Sequence, residues 1–383
     1  MKRIVIDKSE RYHRVVSHPM EELLPSRRRA EKRLGSVIDL SVMESDMALP
    51  SRSDGAAAPA DDVIRETIAK RLLETRSLRL DPRREILLCD DVESSLEDLA
   101  LAFIDPSDVV LIPDPALPLY RRVCVLAGGW PIPVPLSDRN DGAPEWERVE
   151  PEATRRAKML WFASPHLPTG KIASHASIER LVERARRDNV LVVQDARLAS
   201  TCRSDLSAPG LLDHPHGRGV GVEAHELAPW HGGGERPGFL IGNREVIEAV
   251  RTLGRLRRRP GVPGRPRLQD AFALSAEDTA FAKKTFARRM DTALGGLREL
   301  DWAVQEPDAG FALWVRVPTR FHSLRFSAML LRAGIAVVPG IAFGEFGHDS
   351  VLLSLTTTEE NIREGFDRLR KKFPGRWGVR SWR

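Results

Sequence analysis

Short apolar runs punctuated by Gly, Pro and charge fill the middle of this chain, and they alternate with segments whose apolar residues recur at helical spacing. VIDLSV (37–42) reads as a short strand, followed by a loop, MALPSRSDGAAAPADD, of flexible composition. Over 62–76, Val63, Ile64, Ile68, Leu72 and Leu73 fall near one helical face. EILL (85–88), VVLIP (109–113), PIPVPL (131–136), KMLWFA (158–163) and VLVVQD (190–195) predict strands. The intervening segments 94–104 (opened by a serine cap), 119–128 and 175–188 predict helices. Short apolar strands separated by amphipathic helices argue a mostly parallel sheet covered on both faces. After Pro266 the pattern changes to a long helix over roughly 269–300, then FALWVRVP, a helix, IAVVPG, VLLSL and a final helix at 359–372. That is the pattern of a smaller α+β domain. Residues 1–34 are basic and poorly patterned, as in an arm or frayed extension. The expected division is an arm over 1–34, a large domain over 61–268, and a small α+β domain built from 35–60 and 269–383.

Composition narrows the function classes. At 383 residues with 42% hydrophobic and 30% charged content, the chain matches an ordinary soluble globular protein. No apolar run approaches the roughly 20 residues of a membrane helix, and the first residues lack a secretory signal. Cys89, Cys124 and Cys202 lie far apart without metal-ligand spacing, so a reduced cytoplasm and no metal site are expected. The formal charge of +5 is concentrated at Arg251, Arg255, Arg257, Arg258, Arg259, Arg265 and Arg267, and again from Arg368 to Arg383. Such clusters can track phosphates. A solvated arginine-rich surface is the preferred reading, and a nucleic-acid partner is not expected.

Ligands of open α/β sheets bind at the carboxyl ends of the strands, so the loops there should carry any chemistry. Those loops resemble the class I/II, fold-type-I aminotransferases. SPHLPTG (164–170) resembles the NPxNPTG turn; LVERARRDNVLVVQDARL resembles the segment ending in DExY; DPSDVVLIPDPALPLYRR resembles PGDxVLxPDPxYPxY. VEAHELAPWHGGGERPGFLIGN (222–243) resembles VEFHSLSKxxxMxGWRxGFxxGN with one residue fewer before the arginine, and AGFALWVRVP and VVPGIAFGEFG match small-domain segments. The motifs run in order from about 36 to 372, nearest to the aspartate and LL-diaminopimelate branches. The resemblance implies an α/β fold of pyridoxal 5′-phosphate (PLP) transferase architecture, with a large three-layer domain and a small one. It also implies a dimer with active sites at the subunit interface.

A PLP transaminase needs a lysine to hold the cofactor as a Schiff base and to shuttle a proton. The matching run here is Glu226–Leu227–Ala228–Pro229, so Pro229 stands at the lysine position, and no lysine occurs between Lys171 and Lys283. His231 is a candidate substitute base, with a polar-loop reading preferred. The phosphate-binding serine corresponds to Ala228 or Glu226, and Arg236 is the candidate phosphate arginine. The cofactor's ring contacts correspond to Leu117, Leu167 and Leu198, and the substrate-carboxylate arginine falls near Leu352. Asp195 stands where the pyridinium-pairing aspartate belongs, with an ordinary strand-end aspartate an equal reading. Acidic residues in the turn 91–93 oppose a phosphate: like charges ~4 Å apart at an effective dielectric near 20 repel by ~4 kcal/mol. The polar-to-apolar changes are expected to fill a vacated cleft.

These residues predict an aminotransferase-like pseudoenzyme without a cofactor, acting as a scaffold or regulatory subunit, as a homodimer or paired with an active paralogue. The alternative is a PLP-dependent aminotransferase, or a lysine-independent PLP or pyridoxamine-phosphate enzyme, with a rebuilt pocket. A weaker third reading is binding of an acidic partner or nucleic acid through the arginine clusters.

Overall fold

The computed structural model describes residues 7–16, 19, 23–50, 59–136, 142–203, 206–257, 266–302, 304–318 and 320–373. Its strands are β1 (Ile38–Leu40), β2 (Ile86–Cys89), β3 (Val109–Asp114), β4 (Trp130–Pro135), β5 (Ala157–Ala163), β6 (Leu191–Asp195), β7 (Gly221–Glu226), β8 (Gly238–Gly242), β9 (Ala312–Arg316), β10 (Ile335–Pro339) and β11 (Ser350–Ser354). Seven of them form one sheet in the order β2-β8-β7-β6-β5-β3-β4. From β4 to β7 neighbours run parallel, and β8 is antiparallel to both β7 and β2. The mostly parallel sheet expected from the apolar runs is present. β7 and β8 went undetected by that pattern. The run GVEAHE interrupts its apolar residues with Glu223, His225 and Glu226, whose polar groups find partners in the fold.

Alternation along the strands sends successive side chains to opposite faces. On one face Val193, Val222, Leu240, Met159 and Trp161 pack against the helices Val92–Phe103, Pro118–Ala127 and Arg244–Arg257. On the other, Val192, Leu160 and Ile241 meet the helices His175–Asp188 and Asp61–Arg76. This gives three layers. The second sheet, β1-β10-β11-β9, has its own core, in which Leu313, Val337 and Leu353 pack against the helices Ala276–Glu299, Ser323–Arg332 and Glu359–Lys372.

Several local expectations change. The serine expected to cap 94–104 does not: the helix starts at Val92, and Asp91 caps it by accepting from the Ser94 N–H at 2.9 Å. The expected long helix over 269–300 is two, Pro266–Phe272 and Ala276–Glu299. Ser275 and Asp278 form a reciprocal capping box that restarts the second. The segment 1–34, read as a frayed arm, contains the helices Glu10–Val16 and Leu23–Leu34. They are held by Arg14 over the Trp130 ring at 5.1 Å and by an Arg27–Asp39 ion pair.

The central arginine cluster is spent on structure where it is described. Arg251 donates to the carbonyl oxygens of Arg83 and Ile86, Arg257 pairs with Asp98 and Glu97, and Arg267 donates to the Gly232 carbonyl at 3.0 Å. Arg258, Arg259, Arg265 and residues 374–383 lie outside the described residues. Among the described residues no helix is long and apolar enough to cross a membrane, and no cluster of potential metal ligands occurs.

Replacing the helix cap tests this local picture. Asp91→Ala should lower unfolding stability by about 1–2 kcal/mol in urea titration, while Asp91→Asn should retain most of it.

Candidate functional site

The carboxyl ends of β3, β5, β6 and β7 converge, and each brings its last residues to one area: Asp114, Ala163, Asp195 and Glu226. Asp195 is buried and saturated with partners. The Tyr120 hydroxyl donates to its Oδ2 at 2.6 Å. Arg197 donates from Nη2 to Oδ2 at 2.7 Å, from Nε to both oxygens at 3.0 and 3.1 Å, and from its backbone N–H to Oδ1 at 3.1 Å. Tyr120 is fixed by stacking on Trp161, with ring centroids 4.9 Å apart. Burial alone would push the Asp195 carboxyl up, but the Arg197 charge and hydrogen bonds, with that of Tyr120, hold it below its usual value.

Arg197 is itself 6% exposed, so its charge needs more than one anion nearby. Its Nη1 donates to Glu93 at 3.0 Å. Glu93 also faces Arg236 at 3.8 Å and Arg122 at 4.0 Å, and Arg236 reaches Glu226 at 3.8 Å. Three carboxylates and three guanidinium groups therefore alternate across the site. Glu226, almost fully buried, has its carboxyl raised by burial despite the charge of Arg236. Asp91 closes the cluster: one oxygen caps the Val92–Phe103 helix and the other accepts from the Arg236 backbone N–H at 3.2 Å.

A second space lies on the opposite face. A cleft of about 970 Å³ is lined by Gln194 and Ala196, the neighbours of Asp195 that point the other way, together with Pro229, His231 and Lys283. Pro229 occupies the first corner of a tight turn in which the His231 N–H donates to the Ala228 carbonyl at 3.0 Å, a position where a fixed φ is favoured. His231 is half-buried, and burial lowers its pKa, so it is neutral at pH 7. The cleft wall is braced by Glu223, which takes a bidentate pair from Arg76 at 2.7 and 2.9 Å and a contact from His225 Nε2 at 2.8 Å. That pairing outweighs the burial that would raise Glu223 and holds its carboxyl at about 2.

The family comparison agrees with this topology. A model of the family "Aminotransferase class I and II" matches residues 57–369. The chain belongs to the class I and II aminotransferases. It is 31% identical to the LL-diaminopimelate aminotransferase of Halothermothrix orenii over 80% of this chain and 79% of that protein. It is 30% identical to the enzyme of the same name from Desulforudis audaxviator over 86% and 85%. Among solved structures, BacF from Bacillus subtilis superposes with a TM-score of 0.85 at 22% identity, covering 96% of this chain and 98% of that one. Thermotoga maritima aspartate aminotransferase gives 0.81 at 24% identity, covering 95% and 99%. The fold is thus the fold-type-I PLP-transferase architecture.

Membership overturns the expectation that no cofactor belongs to this chain: PLP is the cofactor an aminotransferase of this family implies. Nothing in these matches speaks for a member without activity. The residues on the Asp195 face, however, do not fit the lysine-linked form of that cofactor. Position 229 is proline, the Val92–Phe103 helix start is capped by the Asp91 carboxylate, and Arg236 lies between Glu93 and Glu226.

The leucines expected at the family's ligand positions do not converge on one plug, as the sequence suggested. Leu117 packs on the large-domain core. Leu167 joins Trp314, Phe343 and Leu352, and Leu198 joins Trp230, Phe286 and Phe311. Ala228 is buried in the turn beside Pro229. Asp195, Glu226 and Arg236 do come together; His231 lines the cleft, which Glu226 also borders. Sequence reading missed Arg197 and Tyr120. Signals existed for both: Arg197 sits inside the DExY match beside Asp195, and Tyr120 ends the PDPxYPxY match in a chain with two tyrosines.

Removing Arg197 should leave Asp195 buried beside Glu93 without its cation. Arg197→Met should cost about 3–5 kcal/mol at pH 7, with much of that recovered in the Arg197→Met/Asp195→Asn double variant. The penalty should shrink as pH falls through the depressed value of Asp195, because a carboxylate held below its unfolded value stabilises only while ionised. Glu226 has the opposite sign. Its raised carboxyl favours the fold when protonated, so Glu226→Gln should gain stability relative to wild type as pH rises above the ordinary glutamate range, measured by thermal unfolding.

Proposed function

We propose that this chain is an aminotransferase-family protein with a rebuilt pocket, handling amino acids or their keto acids in the cleft lined by Pro229, His231 and Lys283, with PLP bound there as the carrier of the amino group rather than linked to a lysine beside Asp195. The observation that carries this reading is the occupation of Asp195 by Arg197 and Tyr120, with the wide cleft on the other face of β6. The names of the relatives, LL-diaminopimelate aminotransferases, favour an amino-transfer activity over a purely structural role. His231, neutral at pH 7, supplies a base on the wall of that cleft, and Lys283 supplies an amine. Arg71 lines the same cleft and forms no ion pair among the described residues, which suits a substrate carboxylate.

A second reading is favoured by Pro229 and by the carboxylates around Arg236. In it the chain acts as a partner subunit, pairing with a second copy or with a lysine-bearing relative, and has no transaminase activity of its own. Cytoplasmic location belongs to both readings.

One assay separates them. The purified chain is incubated with PLP, gel-filtered, treated with borohydride, and tested for label exchange between amino acids, LL-diaminopimelate and glutamate included, and 2-oxoglutarate. The first reading expects exchange that Lys283→Met or His231→Ala lowers by about 100-fold, within the usual range for loss of a general base. Absence of exchange across the panel, with the chain copurifying with a lysine-bearing homologue, would replace it by the second.

A further inference from the structure

The loop His231–Gly234 takes no part in the ion cluster on Asp195, yet its backbone is organised around an anion. Gly233 and Gly234 have φ of 121° and 89°, the left-handed region that an L side chain rarely adopts. Their N–H groups converge on one oxygen of Glu44, at 2.6 and 2.7 Å. Successive N–H groups turned to one point in this way form an anion-binding concavity. The guanidinium of Arg267 lies against Gly233 and donates to the Gly232 carbonyl, so it borders the same point. Arg236 adds positive charge from the adjoining segment, and together these groups hold the Glu44 carboxyl below its usual value, the two backbone hydrogen bonds contributing most.

Glu44 itself is exposed and comes from elsewhere: it follows β1 of the small sheet, in a strap that crosses the loop. The rest of that strap is held independently. The Gly232 N–H donates to the Met47 carbonyl at 2.8 Å, and Asp46 pairs with Arg289 at 2.8 and 2.9 Å and donates from its backbone to the Thr356 carbonyl at 2.9 Å. The space at Gly232 is also set by the strap, since a Cβ there would lie 1.9 Å from the Ser45 carbonyl oxygen. The Glu44 side chain is thus a removable ligand on a strap that does not need it to stay in place.

We infer that the Gly233–Gly234 backbone with Arg267 is a carboxylate-binding site, filled in this chain by its own Glu44 and open to a carboxylate-bearing small molecule when Glu44 swings away. The site adjoins Trp230 and His231 on the wall of the large cleft, so its occupancy governs how firmly that wall is held. It stands whichever reading of the cleft's function holds.

Glu44→Ala is the test, followed by amide hydrogen exchange of the 231–236 segment. Because Glu44 is exposed, the variant should fold, and wild-type-like thermal unfolding checks this. Exchange in the segment should rise by about tenfold, the scale of one charge-assisted hydrogen-bonding pair. Acetate should slow it again, chloride at equal ionic strength should not, and adding Arg267→Met should abolish the acetate effect. Unchanged exchange in Glu44→Ala would overturn the inference, as would slowing by chloride equal to that by acetate.

Discussion

The buried pair between Asp195 and Arg197 fixes the character of this molecule, because it turns the end of the central strand into a closed ionic unit. Taking both charges out of water is costly, and the attraction between them offsets that cost only with good geometry and further hydrogen bonds. Both conditions are met. Arg197 engages both carboxylate oxygens, Tyr120 supplies another donor, and Glu93 takes the remaining side of the guanidinium. Once these are in place, neighbouring acids and arginines must alternate in sign, and Glu93, Arg236, Glu226 and Arg122 do so.

This unit divides the strand ends into two environments. On one side, ionic partners consume Asp195 and crowd Arg236, and the adjacent helix start is satisfied by Asp91. On the other side, Gln194 of the same strand and Ala196, just past its end, line a wide cleft that Glu226 also borders. Part of the cleft wall is braced by the pair of Arg76 and Glu223, which stiffens it without closing the space. The turn around Pro229 contributes to the wall of that cleft.

The interface between the two sheets is held by contacts of a different kind. The strap after β1 crosses the glycine loop by main-chain hydrogen bonds and is anchored to the Ala276–Glu299 helix by Asp46 and Arg289. Met47 and Leu198 pack beside Trp230, Phe286 and Phe311, so an apolar cluster lies directly under the loop. The glycine loop is consequently ordered from both sides.

The chain's order of apolar runs determined the three-layer large unit, the second sheet and most of the helices, because burial on both faces of a parallel sheet demands short continuous apolar strands. It determined Pro229 and the lack of a nearby lysine as matters of identity alone. It also placed Asp195 at a strand end and singled out Glu226 and Arg236, which the fold brings beside it. Tertiary structure decided the rest. β7 was hidden because its polar residues are paired across the fold and leave no apolar period. The helix cap fell to Asp91 instead of the serines beside it, because Asp91 also accepts from the Arg236 backbone. The leucines went to three separate clusters because their backbones point to different layers. Arg197 took Asp195 because its position two residues on, beyond the strand end, lets the side chain fold back onto the carboxylate while reaching Glu93 from a distant helix. The position of His231 relative to Asp195 was likewise set by the sheet: adjacent residues of β6 face opposite sides, and no sequence spacing says which side a loop from the next strand will join.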